Sequence, residues 1–269
     1  MTDRIATFRT LHESGCFVIP NPWDLGSARY LEMIGFEALA TTSSGFAWSL
    51  GKSDTTVTLD EAVAHLAAIA GAVSVPVNAD FEGGFAIAPD GVAANVARAV
   101  TTGIAGISIE DSTGDASAPL FEFGLAVERV RAARAAIDAS GTGVLLTGRS
   151  EGFISGRPDL AETIRRLTAY ADAGAECLYA PGIRSLADIS AVVAAVAPKP
   201  VNVLVGSDFT TVADLAAAGV RRISVGGALA RAAWTGFIAA ATEIAEHGTF
   251  AGLATAIPFP EIDGRFRRT

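Results

Sequence analysis

The chain has 269 residues, of which 50% are hydrophobic and 18% charged, a balance that fits a globular protein with a large core and excludes a disordered one. Acidic residues (29) outnumber basic ones (20), for a net charge of −9. No basic face is offered to a nucleic acid, and an anionic membrane surface would repel the chain.

Along the chain, short apolar runs alternate with longer alanine-rich segments of helical period. The runs are 16–20, 38–42, 75–80, 104–110, 144–149, 177–180, 201–205 and 223–225. Most are continuously apolar, as a strand is when both its faces are buried in a parallel sheet. A helical segment follows each: 24–35, 60–72, 90–102, 121–139, 159–173, 185–197, 210–218 and 227–246. Asp24, Asp60 and Asp90 stand where N-caps belong, and Gly35, Gly103 and Gly174 where helices end. Eight βα units predict an α/β fold, a (β/α)8 TIM-type barrel forming a single domain over 1–269, with a doubly wound open sheet as the alternative.

Residues 247–269 lie beyond the eighth helix as a C-terminal extension. This apolar tail packs either on a neighbouring subunit or on its own barrel. Cys16 and Cys177 sit in apolar runs and read as reduced core residues. The amino terminus lacks the pattern of a secretory signal, and no run reaches the roughly 18 apolar residues of a membrane span. A cytoplasmic location is expected.

Barrel active sites lie at the C-terminal ends of the strands. Those ends carry Asn21-Pro22-Trp23-Asp24, Thr42-Ser43-Ser44-Gly45-Phe46, Asp80-Phe81-Glu82, Glu110-Asp111, Arg149-Ser150-Glu151 and, within the seventh strand, Asn202. Asp80, Glu82, Glu110 and Asp111 therefore crowd one mouth. Clustered carboxylates repel one another unless a cation joins them. Oxygen-only ligands, with no histidine at a strand end, suit Mg2+ or Mn2+ rather than zinc. Arg149 would hold a substrate carboxylate, or else the acids and Arg149 form a salt-bridge network.

Other barrel chemistries find little support. Lys52 lies in a loop and Lys199 precedes a strand, so a Schiff base lacks its lysine. His12, His65 and His247 fall in or near helices, where packing or surface roles are expected. Gly206-Ser207 and Gly226-Gly227 are a rival phosphate site or plain turns.

Taken in order, these motifs resemble the isocitrate lyase / phosphoenolpyruvate mutase superfamily over nearly the whole length. Asp80-Phe81-Glu82-Gly83-Gly84-Phe85-Ala86 is similar to its acid-x-acid-x-Gly-aromatic-Gly metal segment, with Ala86 in place of the last glycine. Ile109-Glu110-Asp111, Gly148-Arg149-Ser150-Glu151 and Ser44-Gly45-Phe46 resemble its other motifs; Asp54 fits the acid after the Ser-Gly-aromatic loop, and Asn21, Trp23 and Asp24 fit the first loop.

The resemblance implies Mg2+ held by Asp80, with Glu82, Glu110 and Asp54 acting partly through water. It also implies a 2-oxo acid bound by Arg149 and the Ser44, Gly45 and Phe46 backbone amides, with Trp23 and Asn202 beside it. Arg149, Glu110 and Asp54 would be the catalytic groups, and the assembly a homotetramer, a dimer of dimers with a C-terminal helix swapped between subunits. The expected activity is metal-dependent cleavage or formation of a C–C bond next to the substrate's carbonyl, through an enolate. Residues 112–119 depart from the family: the lyases' Lys-Lys-Cys-Gly-His type of loop and the mutase's Lys-Thr-Asn loop are both absent. Cleavage of isocitrate or methylisocitrate fits poorly for that reason, and decarboxylation or hydrolysis of an oxaloacetate-like acid fits better. A C–P bond enzyme (phosphonopyruvate hydrolase or carboxyphosphonoenolpyruvate mutase-like) and a non-catalytic 2-oxo-acid binding protein remain the alternatives. The small residues of 112–119 suit a mobile lid.

Overall fold

The computed structural model of the chain describes residues 3–267. Eight strands form one parallel sheet: β1 (Phe17–Ile19), β2 (Leu39–Ala40), β3 (Val77–Asp80), β4 (Gly106–Glu110), β5 (Leu145–Arg149), β6 (Cys177–Tyr179), β7 (Val201–Leu204) and β8 (Arg222–Ser224). The order β1-β8-β7-β6-β5-β4-β3-β2 runs almost all the way round. Between the two end strands, the Ala40 N–H donates to the Pro20 carbonyl at 3.0 Å. The expected (β/α)8 barrel is therefore present, and the open doubly wound alternative is not.

The helices are α1 (Arg4–Glu13), α2 (Leu25–Met33), α3 (Ser43–Ser49), α4 (Leu59–Ala72), α5 (Pro89–Ala99), α6 (Phe123–Ser140), α7 (Leu160–Asp172), α8 (Leu186–Val196), α9 (Val212–Ala217), α10 (Ala228–His247) and α11 (Phe259–Phe266). Among the described residues, none is long and apolar enough to cross a membrane. Asp24 caps α2 as expected, accepting from the Ser27 amide at 2.7 Å. The other two expected caps are corrected. Thr58 caps α4 in a reciprocal box with Glu61, while Asp60 turns outward to Arg98 at 2.5 Å. Proline begins α5, and the Ala88 before it supplies no side-chain cap, so Asp90 lies inside the first turn. Sequence periodicity also overlooked α1, α3 and α11, which are short or lie outside the βα repeat.

Helix α1 starts at Asp3, whose carboxylate accepts from the amides of Ile5 and Ala6. It packs Phe8 against Phe17, Leu145 and Cys177, closing the N-terminal end of the barrel. A Cβ on Gly106 would stand 2.5 Å from the Phe8 ring, so the inward residue at that level of β4 has no side chain. Above this apolar floor the barrel interior turns polar. Asn78, Ser108, Thr147, Asn202 and Arg222 are all buried there, in place of the branched apolar residues that usually fill barrels. His12 joins them from α1: Nδ1 donates to the Phe8 carbonyl (2.7 Å), which leaves Nε2 to accept from Arg222 (3.3 Å).

Burial, with Arg222 close by, lowers the His12 pKa from 6.5 to about 3. Unfolding frees it to protonate, so its stabilising contribution is complete above pH 6.5 and shrinks as pH falls toward about 3. The loss amounts to at most about 1.4 kcal/mol per pH unit. Thermal melts at pH 7.5 and 5 should show a larger drop for the native protein than for a His12→Gln variant; equal drops would contradict the assignment.

Candidate active site

The C-terminal ends of the strands surround a cavity of about 160 Å³ lined in part by Ser43, Ser44, Asp54, Asp80, Arg149, Tyr179, Asn202 and Arg222. Strand alternation decides which side chains reach it, because successive residues face opposite sides of a sheet. Asp80, Glu110 and Arg149 all end their strands pointing inward, and Arg149 is their hub. Its guanidinium lies 3.2 Å from Asp80 and 3.1 Å from Glu110, and it grips both oxygens of Glu151. The ring of Tyr179 packs beneath it, 5.2 Å from centroid to Cζ. The salt-bridge network that the sequence left open is thus formed. Arg149 does not stand free for a substrate in this state.

Asp111, expected at the same mouth, turns the other way. It follows Glu110 by one residue, so its side chain leaves the barrel interior. There it accepts from the Tyr170 hydroxyl (2.6 Å), the Arg166 guanidinium (3.1 Å) and the Glu151 amide (2.7 Å). Its role is to hold the Arg149–Glu151 segment in place. In the sequence Glu151 is only one residue of a motif; its two-pronged bond to Arg149 depends on the turn after β5.

Five carboxyl groups, Asp54, Asp80, Glu82, Glu110 and Glu151, share this single guanidinium. Burial raises the Glu82 pKa to about 7, helped by the negative charges of Asp80 and Asp54. Burial also pushes Asp54 up, with Asp80 adding to it. Glu110 is driven well above the usual carboxylate range by burial, Arg149 opposing and Glu151, Asp80 and Glu82 reinforcing the shift. Strongly perturbed groups converging in a cleft are the signature of a functional site.

The acidic loop after β3 is conformationally demanding. Glu82 and Phe85 adopt left-handed φ values of 47° and 55°, with Gly84 at 74° between them. Such residues cost of order 1–3 kcal/mol each and persist only when their surroundings impose them. Arg129 of α6 does so from behind. Its guanidinium donates to the carbonyls of Gly83, Ala86 and Ile87 and stacks 3.9 Å over the Phe121 ring. Sequence reasoning missed Arg129, although it falls on the same helical stripe as the buried Ala126, Val130, Ala133 and Ile137. A charged residue on an otherwise apolar stripe was the available signal.

The Ser-Gly-aromatic segment forms helix α3, capped by Thr42. Its first amide, that of Ser43, donates to Asp80 Oδ2 at 2.9 Å, and Thr41 Oγ1 accepts from the Asp80 amide. The Gly45 and Phe46 amides turn into the helix, toward Thr42 Oγ1 and the Thr42 carbonyl. The Phe46 ring stacks on His65 with centroids 3.8 Å apart, and Trp23 lies beside Trp234 and Phe237 in a shallow outer groove. Of the expected substrate contacts, Ser44, Arg149 and Asn202 line the cavity, whereas Gly45, Phe46 and Trp23 do not. Gly226 and Gly227 also line it, but Asn21 Oδ1 already accepts from the amides of Val225 and Gly226. Residues 112–119 form a tied hairpin: Ser112 bridges Leu120, the Thr113 amide donates to Pro119, and Asp115 accepts from the amide and hydroxyl of Ser117.

The profile of the phosphoenolpyruvate phosphomutase family matches residues 8–245. The chain belongs to the phosphoenolpyruvate mutase / isocitrate lyase superfamily. The crystal structure of a Burkholderia cenocepacia protein described as a lyase/mutase shares 47% identity with it and superposes with a TM-score of 0.94, over 98% of this chain and 96% of that one. An uncharacterized Mycobacterium tuberculosis protein is 33% identical over 261 residues, covering 96% of this chain and 95% of its own length. An oxaloacetate decarboxylase of Bradyrhizobium diazoefficiens is 32% identical over 200 residues, or 67% of this chain and 64% of that protein. The superfamily thus contains lyases and mutases.

The superfamily fold implies a divalent metal. Among the described residues, no three His, Cys, Asp or Glu side chains are grouped tightly enough to hold one outright. The donor chemistry nevertheless fits a hard cation that keeps most of its water: the donors are oxygens only, and the buried carboxyls exceed their one counter-ion.

Removing the Arg129 side chain leaves three carbonyls and a strained loop without support. Arg129→Ala should cost about 3 kcal/mol or more of stability. Amide exchange should rise most over residues 82–87. Uniform protection there, with an unchanged melting temperature, would refute the clamp.

Proposed function

We propose that this chain is a metal-dependent lyase that breaks or forms a C–C bond beside the carbonyl of a small 2-oxo acid, through the enolate of that acid. The observation that carries the reading is the surplus of buried carboxyl groups around Arg149 at the barrel mouth. Asp80 would hold Mg2+ or Mn2+, with Glu82, Glu110 and Asp54 reaching it through water. When bound, the cation polarises a carbonyl and neutralises developing negative charge.

The chain's own residues do the rest. Ser44 faces the cavity as a neutral hydrogen-bonding group that orients a bound acid, and Asn202, which also lines it, holds Arg222 and Ser224 in place beneath. Arg149, once a cation shares the carboxylates it now holds, has donors to offer a substrate carboxylate. Burial raises the Tyr179 pKa to about 12, so its hydroxyl remains a proton-bearing donor at neutral pH. Asp54 at the cavity wall and Glu110, ion-paired to Arg149, keep their protons more readily than ordinary carboxyls, which suits Asp54 to carry a proton beside a bound acid.

The hairpin narrows the reaction. Its acid, Asp115, is held below the usual carboxylate range by the Ser117 hydroxyl and amide, so it is ionised and a poor proton donor. Loss of carbon dioxide needs no acid for its leaving group. Decarboxylation or hydrolysis of an oxaloacetate-like acid fits this hairpin; either breaks a C–C bond to leave an enolate whose carbon takes one proton, which Asp54 at the cavity wall is placed to supply. The name of the Bradyrhizobium relative agrees with this choice.

A homotetramer with an exchanged C-terminal helix is part of the same proposal. Phe237, Phe250 and Phe259 are 61%, 64% and 76% exposed on α10 and the segment after it, more apolar surface than a lone subunit usually shows.

Turnover on oxaloacetate, methylisocitrate and phosphonopyruvate, with Mg2+ and with EDTA, tests the function. Carbon dioxide release from oxaloacetate that EDTA stops is expected; tight 2-oxo-acid binding without turnover would instead make the chain a binding protein. Asp80→Ala should abolish Mg2+ binding and lower turnover at least roughly 100-fold while its melting temperature holds. Unaltered Mg2+ affinity in that variant would remove Asp80 from the metal set. Because Glu82 titrates near pH 7 in the metal-free protein, cation binding should expel a proton. Calorimetry should then show Mg2+ affinity rising by about tenfold or more per pH unit below 7; a flat profile from pH 6 to 8 would contradict the coupling.

A further inference from the structure

The acids of the cavity gather on the side formed by β3, β4 and β5, around Arg149. A second guanidinium enters from the opposite side, on β8. Arg222 is only 3% exposed, yet it lines the floor of the same cavity. Its partners are Asn202 Oδ1 (2.9 Å), Thr147 Oγ1 (3.1 Å), His12 Nε2 (3.3 Å) and Asn78 Oδ1 (3.5 Å). All four are uncharged, His12 because burial keeps it neutral. Among the described residues no carboxylate is ion-paired with Arg222, in contrast to the three that hold Arg149.

A guanidinium has five N–H donors. The bonds above use Nε, both hydrogens of Nη1 and one of Nη2, leaving one Nη2 hydrogen without an acceptor among the described residues. A buried cation without a counter-charge is costly, and a fold that keeps one beside a cavity gains most when a ligand brings the anion.

We propose that Arg222 forms a second, inward anion subsite, which takes the remote carboxylate of a 2-oxo dicarboxylic acid while the 2-oxo end faces Asp80 and Arg149. The subsite rests on the 2-oxo-acid reading above and gives it a direction: the cavity is acidic at its rim and cationic at its floor, so a substrate with two heads enters one way round. Asn78, Thr147 and Asn202 are positioning residues here, since they hold the guanidinium plane without neutralising it.

The test is calorimetric binding, with Mg2+ present, of two 2-oxo acids that differ in the remote group. Pyruvate lacks it; 3,3-difluorooxaloacetate carries a carboxylate there. Arg222→Gln should weaken difluorooxaloacetate on the order of 10- to 100-fold and leave pyruvate unchanged. Arg222→Lys, which keeps the charge but shortens the reach, should show a smaller loss confined to the same ligand, and it carries the test should the glutamine variant fail to fold.

Equal weakening of both ligands would assign Arg222 to the barrel's packing and overturn the subsite. So would undiminished difluorooxaloacetate binding. Phosphonopyruvate that depends on Arg222 while difluorooxaloacetate does not would overturn the carboxylate assignment in favour of a phosphonate. A native protein that binds neither acid removes the 2-oxo-acid reading and the subsite together, whereas normal pyruvate binding with no effect of Arg222 removes the subsite alone.

Discussion

Five carboxyl groups converging on one buried guanidinium set the terms for the rest of this molecule. Arg149 can neutralise only part of that charge, and the protein answers with structure. Asp111, Arg166 and Tyr170 brace the backbone on which Arg149 and Glu151 sit. Arg129 holds the acidic loop in a shape it would not keep alone. The first amide of α3 adds a hydrogen bond to Asp80. Each device restrains a group that electrostatics alone would push apart.

The same frustration is the chemical resource. Burial and neighbouring charge shift these carboxyls upward, Glu82 to about 7, which poises Glu82 to exchange a proton near neutral pH and the set to gather a hard cation. A metal at Asp80 would lower the repulsion and release donors of Arg149 from the acids they now serve. Binding of the cation and readiness for an anionic substrate would then be coupled through one side chain.

The barrel interior shows a second, quieter balance. Most barrels of this kind fill their centre with branched apolar residues. Here Phe8 and the α1 helix close one end with apolar packing, and the layer above it is a set of amides and hydroxyls around Arg222. A neutral His12 completes that layer because the neighbouring guanidinium and burial both oppose its protonation. Polar satisfaction is nearly complete, but charge satisfaction is not, and the distinction separates a packing residue from a receptive one.

The sequence by itself determined the barrel. Eight apolar runs separated by helical periods leave few other ways to bury both faces of every strand, and the acids at consecutive strand ends mark the mouth. Short motifs in the right order were enough to name the superfamily. The tertiary structure decided what periodicity cannot encode. The pleat turns Asp111 away from Glu110, and the closure of the sheet brings Arg222 under the cavity from the far side. The α3 helix withdraws the Gly45 and Phe46 amides, and Arg129 reaches a loop more than forty residues earlier in the chain. The reason is common to all four cases: a residue's chemical type is local, whereas its partners, and hence its charge state and its role, are set by which distant strand or helix happens to face it.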